Sequence, residues 1–229
     1  MMLHREEIKR LAAVAAMQQV RAGMTLGVGT GSTVYWFILE LAKQVKQGLQ
    51  CTCVPTSAAT HSLALQLGIP MVTLNEVSKI DLTIDGADEI DPQLCLIKGG
   101  GGALLQEKMV AAASDKLVII ADAGKQVQQL GRFPLPVEVI PYGWKQVQQH
   151  IAFTNDVVVL LRMKNEQPFI TDHGHYILDC QFNAITDAAR LAVMLNTVPG
   201  VVENGLFMNM ASMAIIAQED GKIQTIMAP

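Results

Sequence analysis

The sequence lacks any apolar run long enough to cross a membrane as a helix, which takes roughly 18 consecutive apolar residues. Its longest candidates are the short runs at residues 11–17 and 157–161. A secretory signal is also missing at the N-terminus, because charged residues between Arg5 and Arg10 interrupt the apolar stretch that such a signal needs. We therefore expect no membrane association and a cytoplasmic location.

Cysteine is scarce, with four residues in 229, and the four are scattered along the chain. Cys51 and Cys53 are separated by one residue, whereas redox and zinc pairs are separated by two. Alternate residues on a strand point to the same face, so we expect both to be small buried hydrophobes. Without a cluster of histidine or cysteine, the sequence predicts no bound metal.

Charge is sparse as well, at 17% of the residues, and the formal net charge is −4. A mildly acidic chain without a run of lysine or arginine has no electrostatic footprint for nucleic acid. Half of the residues are hydrophobic, which excludes a disordered chain and indicates a substantial buried core.

The first half of the chain alternates predicted strands and helices. Strands are predicted at 24–28, 51–55, 69–73, 81–84, 94–97 and 117–121, and helices at 4–21, 34–45, 56–68 and 103–114. This alternation predicts parallel pairing in a sheet that helices cover on both faces.

The pattern changes near Gly131. Prolines interrupt residues 133–141, which indicates an edge strand or a linker. Short antiparallel strands are predicted at 157–162, 169–171 and 176–179, with a turn at 172–174 and a helix at 184–195. This half of the chain therefore predicts a second, smaller α+β domain.

Residues suited to chemistry come directly after the predicted strands. Parallel strands share an edge at their carboxyl ends, and ligands bind in the crevice there. The first cluster reads GVGTGST at residues 27–33 and offers backbone N–H groups, hydroxyls and a helix N-terminus. Such a cradle favours phosphate, and a tight strand-to-helix turn is the alternative. Ser57 and Thr60 open another helix, as N-cap hydroxyls or as ligand contacts.

The second cluster is acidic and follows the predicted strand at 81–84. Asp85, Asp88, Glu89 and Asp91 repel one another unless protons or cationic neighbours relieve the repulsion. Their spacing does not match an EF-hand loop. A solvated acidic turn is the alternative to a ligand site.

The third cluster is Lys98 followed by four glycines, Gly99 to Gly102, and a predicted helix. Glycine lets a ligand approach the backbone closely, and a flexible linker has no purpose inside a strand-to-helix connection. We interpret it as a ligand-wrapping loop, with Lys98 as a positive charge beside the substrate. Glu107 lies about one turn into that helix. The residues around it fit a solvated surface glutamate as well as a glutamate at the site. His173 and His175 flank a glycine, which favours turn chemistry over metal ligation.

These clusters belong to a longer series of segments in a fixed order. The series is GVGTGST at 27–33, DGADEID at 85–91, KGGGGALLQEK at 98–108, ADAGKQV at 121–127, FPLPVEV at 133–139, TDHGHYILD at 171–179 and PGVVENGLF at 199–207. Taken together, they resemble ribose-5-phosphate isomerase, type A, over nearly the whole chain.

The resemblance implies an aldose–ketose isomerase of the pentose phosphate pathway, which interconverts ribose 5-phosphate and ribulose 5-phosphate through an enediol(ate) without a cofactor. It implies Glu107 as general base, with Asp85, Asp88 and Lys98 as further catalytic residues. The substrate-binding residues that it implies are Thr30, Gly31, Ser32, Thr33, Asp85, Gly86, Ala87, Asp88, Lys98, Gly99, Gly100, Gly101 and Lys125.

The resemblance also implies an architecture and an assembly. The expected fold is α/β, with a Rossmann-like, mostly parallel sheet and a smaller α+β (ferredoxin-like) domain. Residues 1–131 and about 205–229 would form the catalytic domain, and 132–204 the smaller one, which would contribute to subunit contacts. A homodimer or homotetramer is expected.

Three other functions stay open. A sugar-phosphate-sensing module of related fold would have the phosphate cradle without catalysis. A nicotinamide dehydrogenase would need a third fingerprint glycine where Ser32 stands, and the ribose-binding acid about twenty residues on is missing. A metal-dependent hydride-shift isomerase would lose its activity to a chelator.

Overall fold

The computed structural model describes residues 3–229. The α-helices among them are α1 Arg5–Met17, α2 Ser32–Lys46, α3 Ala58–Gln66, α4 Leu104–Ala112, α5 Trp144–Asn155 and α6 Ala188–Asn196. The strands are β1 Thr25–Val28, β2 Thr52–Pro55, β3 Leu82–Asp85, β4 Glu89–Ile90, β5 Leu96–Ile97, β6 Leu117–Asp122, β7 Leu135–Val139, β8 Val158–Leu161, β9 Met163–Lys164, β10 Gln167–Pro168, β11 Tyr176–Gln181, β12 Val201–Asn204, β13 Leu206–Phe207, β14 Met213–Ala217 and β15 Ile223–Met227. In this described part of the chain, every helix is too short or too polar to cross a bilayer.

A six-stranded main sheet has the order β15-β14-β6-β3-β1-β2. All its neighbouring pairs are parallel except β14 with β15. Alternate residues of β6 point to opposite faces: Val118 and Ile120 pack with Phe37 of α2, whereas Ile119 packs with Ala111 of α4. The predicted Rossmann-like sheet, with helices on both faces, is confirmed.

A smaller antiparallel sheet has the order β12-β7-β11-β8. Helix α5 lies between β7 and β8 in the chain, and α6 lies between β11 and β12, so the elements follow a β-α-β-β-α-β order. This is the ferredoxin-like arrangement, and it confirms the expected α+β part of the fold. The helices cover one face of the sheet through residues such as Ile151 and Leu195.

A third sheet, of three short strands in the order β13-β5-β4, is antiparallel. It places Phe207 of β13 opposite Leu96 of β5. The residue after β5 is Lys98, so this sheet brings the chain near 207 alongside the lysine loop.

Four local predictions were wrong. Residues 169–171 form no strand, because β10 ends at Pro168. Residues 69–73 form no strand, since Met71 makes an isolated bridge to Cys53 and a short 3-10 helix follows at Leu74–Glu76. Helix α5 was not predicted, because its polar sequence leaves only Val147 and Ile151 buried. The proline-interrupted segment forms β7, which is an internal strand, not an edge strand or a linker.

Pro136 fits inside β7 because of its position in the ladder. A proline has no N–H to donate, so the residue opposite keeps a free carbonyl. That residue is Gly205, whose N–H donates to the Pro136 carbonyl at 2.8 Å. The Gly205 carbonyl accepts instead from the backbone N–H of Lys98 at 2.9 Å. The proline therefore leaves an acceptor that anchors the lysine loop.

The four cysteines are free and buried. The Sγ atoms of Cys51 and Cys53 lie 3.8 Å apart within the core between α1, α2 and the main sheet. The prediction that these two residues behave as small buried hydrophobes is confirmed.

Candidate active site

The phosphate cradle and the acidic cluster meet at one edge of the main sheet. Val28 at the end of β1 pairs with Ile84, the residue before Asp85 on β3. Lys98 follows β5, which pairs with β4 and β13 instead of the main sheet. The expectation that every cluster follows a strand of one parallel sheet is therefore wrong for the lysine loop, although that loop reaches the same edge.

Lys98 lies between two carboxylates. Its Nζ is 3.0 Å from Oδ2 of Asp85 and 3.3 Å from Oε2 of Glu107, and all three side chains are at most 6% exposed. The same Nζ donates a hydrogen bond to the carbonyl of Gly86 at 2.6 Å. Glu107 is therefore a buried partner of the lysine and not the solvated helix residue that its sequence context also allowed.

The charges in this cluster shift one another's protonation. Burial, and secondly the charge of Asp85, raise the pKa of Glu107 to about 8 against the opposing effect of Lys98. Burial likewise raises the pKa of Asp85, again opposed by Lys98. Burial by itself would lower the pKa of Lys98, but the charges of Asp85 and Glu107 outweigh it and raise that pKa. A carboxyl that exchanges its proton near neutral pH thus lies beside a permanent cation.

Two oxygen atoms of this cluster have unused acceptor capacity. Within residues 3–229, Oδ2 of Asp85 and Oε2 of Glu107 accept no hydrogen bond, although both are buried. Their one polar neighbour among these residues is the Lys98 ammonium, at 3.0 and 3.3 Å, and buried carboxylate oxygens usually receive more donors than this. They are therefore candidates for contact with a ligand or for proton transfer.

The other oxygen of Asp85 is fully used. Its Oδ1 accepts from the backbone N–H groups of Gly86 at 2.7 Å and Thr30 at 3.1 Å. A Cβ on Gly29 would lie 2.1 Å from this oxygen, so only glycine fits there. The cradle and the acidic cluster are therefore joined directly through this carboxylate.

Asp88 connects the acidic cluster to the glycine loop. Its Oδ2 accepts from the N–H of Gly100 at 2.7 Å, and its Oδ1 lies 3.9 Å from Nζ of Lys125. Four segments that are distant in the sequence, around residues 30, 88, 100 and 125, therefore surround one space.

That space, which we call the Glu107 cavity, has a volume of about 100 Å³. Its lining residues are Thr30, Gly31, Ser32, Thr33, Val34, Gly86, Ala87, Asp88, Lys98, Gly99, Gly101, Glu107, Ala121 and Lys125. Every predicted substrate-binding residue except Asp85 and Gly100 lines it. A larger cavity of about 670 Å³ shares Asp88 and Lys125 with it and extends toward Arg5 and Arg132.

The N-terminus of α2 faces the Glu107 cavity without a side-chain cap. Gly31 occupies the N-cap position with φ +124°, and no side chain among the described residues bonds to this helix end. The first-turn N–H groups, at Ser32 and Thr33, lack partners within the helix, and the helix dipole adds positive potential. This is the arrangement expected of an anion cradle.

The hydroxyls that follow β2 have a structural role. Ser57 caps α3 by accepting from the N–H of Thr60 at 3.1 Å. The Thr30 hydroxyl bonds to the hydroxyls of Thr56 and Ser57, both at 2.8 Å. Of the two alternatives for Ser57, the N-cap is observed. Thr30 therefore faces the cavity with its hydroxyl already engaged.

The predicted turn at 172–174 is present, and its histidine is engaged within the small sheet. Gly174 has φ +79°, and Nδ1 of His175 lies 2.9 Å from Oε1 of the buried Glu138. The turn is therefore confirmed, whereas the His175 ring contacts Glu138 of β7 and not the turn itself.

Two residues at the site were missed by the sequence analysis. The Phe207 ring centre lies 5.4 Å from Nζ of Lys98, and Arg162 donates to the carbonyls of Gly99 and Gly100. Neither residue is near the glycine loop in sequence. The one sequence signal for Arg162 was its place as an isolated arginine at the end of a predicted apolar strand.

Known proteins resemble this chain over almost its full length. A family model described as ribose 5-phosphate isomerase A (phosphoriboisomerase A) matches residues 52–221. Ribose-5-phosphate isomerase A of Rhodopseudomonas palustris is 51% identical over 230 residues, which cover 98% of this chain and 99% of that protein. The protein of the same name from Bacillus cereus is 54% identical over 215 residues, with 93% and 97% covered.

A solved structure agrees with these sequence relatives. A D-ribose-5-phosphate isomerase in complex with phospho-erythronic acid has a TM-score of 0.94 and 37% identity, and the match covers 98% of this chain and 100% of that one. The likeness thus covers 98% of the chain and is not confined to one of its sheets. The chain belongs to the ribose 5-phosphate isomerase A family.

Proposed function

We propose that this chain interconverts ribose 5-phosphate and ribulose 5-phosphate, with Glu107 moving the proton between C2 and C1. The names of its relatives support the substrate. The observation that carries the proposal is the buried Glu107 carboxylate, 3.3 Å from the Lys98 ammonium at the wall of a small cavity. The aldose–ketose shift is redox-neutral, so the proposal includes no nicotinamide, other cofactor or metal.

Glu107 suits both halves of the proton transfer. The proton on C2 of the open-chain aldose must leave, and a proton must arrive at C1. A single carboxylate can serve both carbons if it comes within about 2.6–3.2 Å of each. A base works best when its pKa is near the working pH, and the pKa of Glu107 is about 8.

Lys98 would stabilise the charge that develops. As the C2 proton leaves, its bonding electrons form the C1–C2 double bond and the C1 carbonyl oxygen becomes an oxyanion. Nζ of Lys98 is buried and held in place by Asp85 and by the Gly86 carbonyl, so it needs little reorganisation. One preorganised donor of this kind is worth roughly 3–4 kcal/mol in the transition state.

Asp85 and Asp88 would handle the remaining proton transfers. The aldose arrives mainly as a ring, so an acid–base group must open it before Glu107 can act. We assign ring opening to Asp85, because among the described residues its Oδ2 has no directed hydrogen bond and makes polar contact only with the Lys98 ammonium, at 3.0 Å. Asp88, which lines the Glu107 cavity and fixes the glycine loop through Gly100, would pass the C2 hydroxyl proton to the C1 oxyanion, so that the C2 oxygen ends as the ketone.

The phosphate would bind at the uncapped N-terminus of α2, with Lys125 contributing positive charge. Binding energy from this group, far from the reacting carbons, would hold those carbons in position. The phospho-erythronic acid bound in the similar isomerase is a phosphorylated sugar acid. Its carboxylate carries the kind of negative charge that an enediolate carries, which supports the same ligand class here.

The domain division and the assembly are also part of the proposal. We propose a catalytic domain of residues 1–131 plus about 205–229 and a smaller domain of residues 132–204 that contributes to a homodimer or homotetramer. Exposed apolar side chains support this contact, since Phe153 of α5 is 92% exposed and Val158 and Leu160 are half exposed on the edge strand β8. Light scattering should give a dimer or tetramer mass, and Phe153→Asp should reduce it.

A cytoplasmic location follows from the proposed substrate. Sugar phosphates are anions that do not cross membranes unaided, so the enzyme must share their compartment. Neither nucleic acid nor membrane is a proposed partner. A fluorescent fusion in the source cell, imaged against a membrane marker, tests this location.

The deciding experiment is to incubate the purified protein with ribose 5-phosphate in EDTA and to assay for ketose. We expect turnover, and in deuterated water we expect solvent deuterium at C1 of the product. Turnover with no deuterium at C1 and with a near-normal rate in Glu107→Gln would reject the enediol route, since without the second result a shielded carboxylate could have returned the same proton. Loss of activity in EDTA would favour a metal-dependent hydride shift. Saturable binding of NAD would favour a dehydrogenase. Ligand binding without turnover would favour a sugar-phosphate sensor.

A further inference from the structure

The guanidinium of Arg162 connects the small sheet to the glycine loop. Its Nη1 donates to the carbonyl oxygens of Gly99 at 2.8 Å and Gly100 at 3.2 Å. Its Nε and Nη2 donate to the two carboxylate oxygens of Asp179 on β11, at 2.9 and 2.5 Å. The two-point contact with Asp179 fixes the guanidinium plane, which directs Nη1 at the loop.

These contacts set the direction of two peptide groups. In a planar trans peptide, the carbonyl of one residue and the N–H of the next point in opposite directions. With the Gly99 carbonyl held by Arg162, the N–H of Gly100 points away and donates to Asp88 at 2.7 Å. With the Gly100 carbonyl held in the same way, the N–H of Gly101 is turned away from Arg162. Among residues 3–229 this N–H has no acceptor, and Gly101 lines the Glu107 cavity.

Phe169 fixes the far end of the same loop. A Cβ on Gly102 would lie 2.3 Å from the Phe169 ring, and Gly102 has φ +85°, so both the space and the backbone require glycine. The Phe169 ring centre is also 5.9 Å from the guanidinium carbon of Arg162. The loop between Lys98 and α4 is thus held at both ends by neighbouring residues that follow β8.

We propose that Arg162 is a positioning residue that presents the N–H of Gly101 to the developing oxyanion of the substrate. Arg162 is not among the described lining residues of the Glu107 cavity, so it acts through the peptide it holds. The inference rests on the proposed isomerase function and adds a residue of the small sheet to it. Lys98 would supply charge to the oxyanion, and the Gly101 N–H a second, directed donor.

The test compares Arg162→Ala with the wild-type enzyme and with Arg190→Ala, a control at an exposed arginine on α6. Losing one oxyanion donor lowers kcat by roughly 10²-fold, and KM stays within about threefold because ground-state binding is unaffected. Inhibition by phospho-erythronic acid, whose carboxylate needs the same donor, should weaken in Arg162→Ala. Inhibition by inorganic phosphate should not change. Arg190→Ala should match the wild type throughout.

Chemical rescue separates positioning from general damage to the fold. Low millimolar guanidinium, far below unfolding concentrations of about 1 M or more, should restore part of the Arg162→Ala activity, and equal sodium chloride should not. Should Arg162→Ala fail to fold, Arg162→Lys retains the charge without the planar fork and should show the same kcat loss. If the wild-type enzyme is active and a folded Arg162 variant has the same kcat, this inference is wrong. An inactive wild type instead overturns the proposed function.

Discussion

Oε2 of Glu107 lies 3.3 Å from Nζ of Lys98, and neither side chain is more than 6% exposed. Asp85 lies on the other side of the same ammonium, at 3.0 Å. Two buried carboxylates and one ammonium carry one negative charge too many when all are ionised. The raised pKa values of Asp85 and Glu107 follow from this excess together with burial. The excess negative charge therefore favours the protonated form of one carboxyl near neutral pH.

Glu107→Gln should lower kcat by roughly 10²–10⁴-fold, the usual contribution of a general base. The amide has the shape of the carboxylate but cannot accept the C2 proton, so KM should change little. Steady-state kinetics with ribose 5-phosphate measure both constants. Glu166→Gln, at an exposed turn between β9 and β10, is the matched control and should be normal. Near-normal turnover in Glu107→Gln would reject this base assignment.

The activity should rise with pH toward the pKa of Glu107. The free enzyme must ionise this carboxyl before it can act as base, and its pKa is about 8. We therefore expect kcat/KM to increase between about pH 6 and pH 9, with a midpoint near the pKa of the base. Rate profiles in buffers of constant ionic strength measure it. A profile that is flat over this range contradicts the prediction.

The stability should respond to pH in the opposite sense. The pKa of Glu107 is 4.5 in the absence of the fold and about 8 within it, so between these values the folded state binds more protons than the unfolded state. Stability from this group is therefore present below about pH 4.5 and lost as pH rises toward 8. Glu107→Gln has no carboxyl to titrate at this position. Its melting temperature, taken relative to that of the wild type, should therefore rise as the pH increases from about 4.5 to 8. A constant difference would contradict the linkage.

Lys98→Met should damage both activity and stability. Removing one partner of a buried ion pair leaves uncompensated carboxylates and costs roughly 3–5 kcal/mol of folding free energy. The loss of an oxyanion donor should lower kcat by about 10²–10³-fold. Thermal melting and kinetics measure the two effects, and Lys222→Met, at an 82% exposed side chain, is the control. A Lys98→Met variant as stable and as active as the control would exclude the proposed role.

Asp85→Asn should separate ring opening from proton transfer. Ribulose 5-phosphate cannot close a five-membered ring, because its C5 oxygen carries the phosphate. Exchange of its C1 protons with deuterated water needs Glu107 but no ring-opening group. We expect Asp85→Asn to lose ribose 5-phosphate turnover far more than this exchange, and Glu107→Gln to lose both. NMR of the C1 protons follows the exchange, and equal losses in Asp85→Asn would remove its ring-opening role.

The sequence predicted local geometry best where a motif is contiguous. The run GVGTGST at 27–33 contains both the strand end and the helix start, so the strand-to-helix turn could be recognised from adjacent residues alone, and its role as a phosphate cradle stays a prediction. Asp88, Lys98 and Lys125 each lie just after a strand that the sequence also predicts, at 81–84, 94–97 and 117–121. The complete order of segments was specific enough to indicate the family.

Other features depended on contacts that no spacing records. Pro136 suggested an edge strand, yet β7 is internal, because Gly205 directs its carbonyl to Lys98 instead of the ladder. Arg162 is 63 residues away in the sequence from Gly99, in the glycine loop that it holds. Such pairings become visible only when the sheets are assembled.

The sequence by itself determined the alternation of strands and helices in most of the first half, the glycines that permit close approach, and the family, because these depend on neighbouring residues and on the order of the motifs. The tertiary structure alone decided that Glu107 is buried beside Lys98 instead of being solvated on its helix. The physical reason is that a carboxyl's pKa and its partners depend on what packs over it. Here the charged neighbours are Asp85 at the end of β3 and Lys98 after β5, which the assembly of two different sheets brings to Glu107.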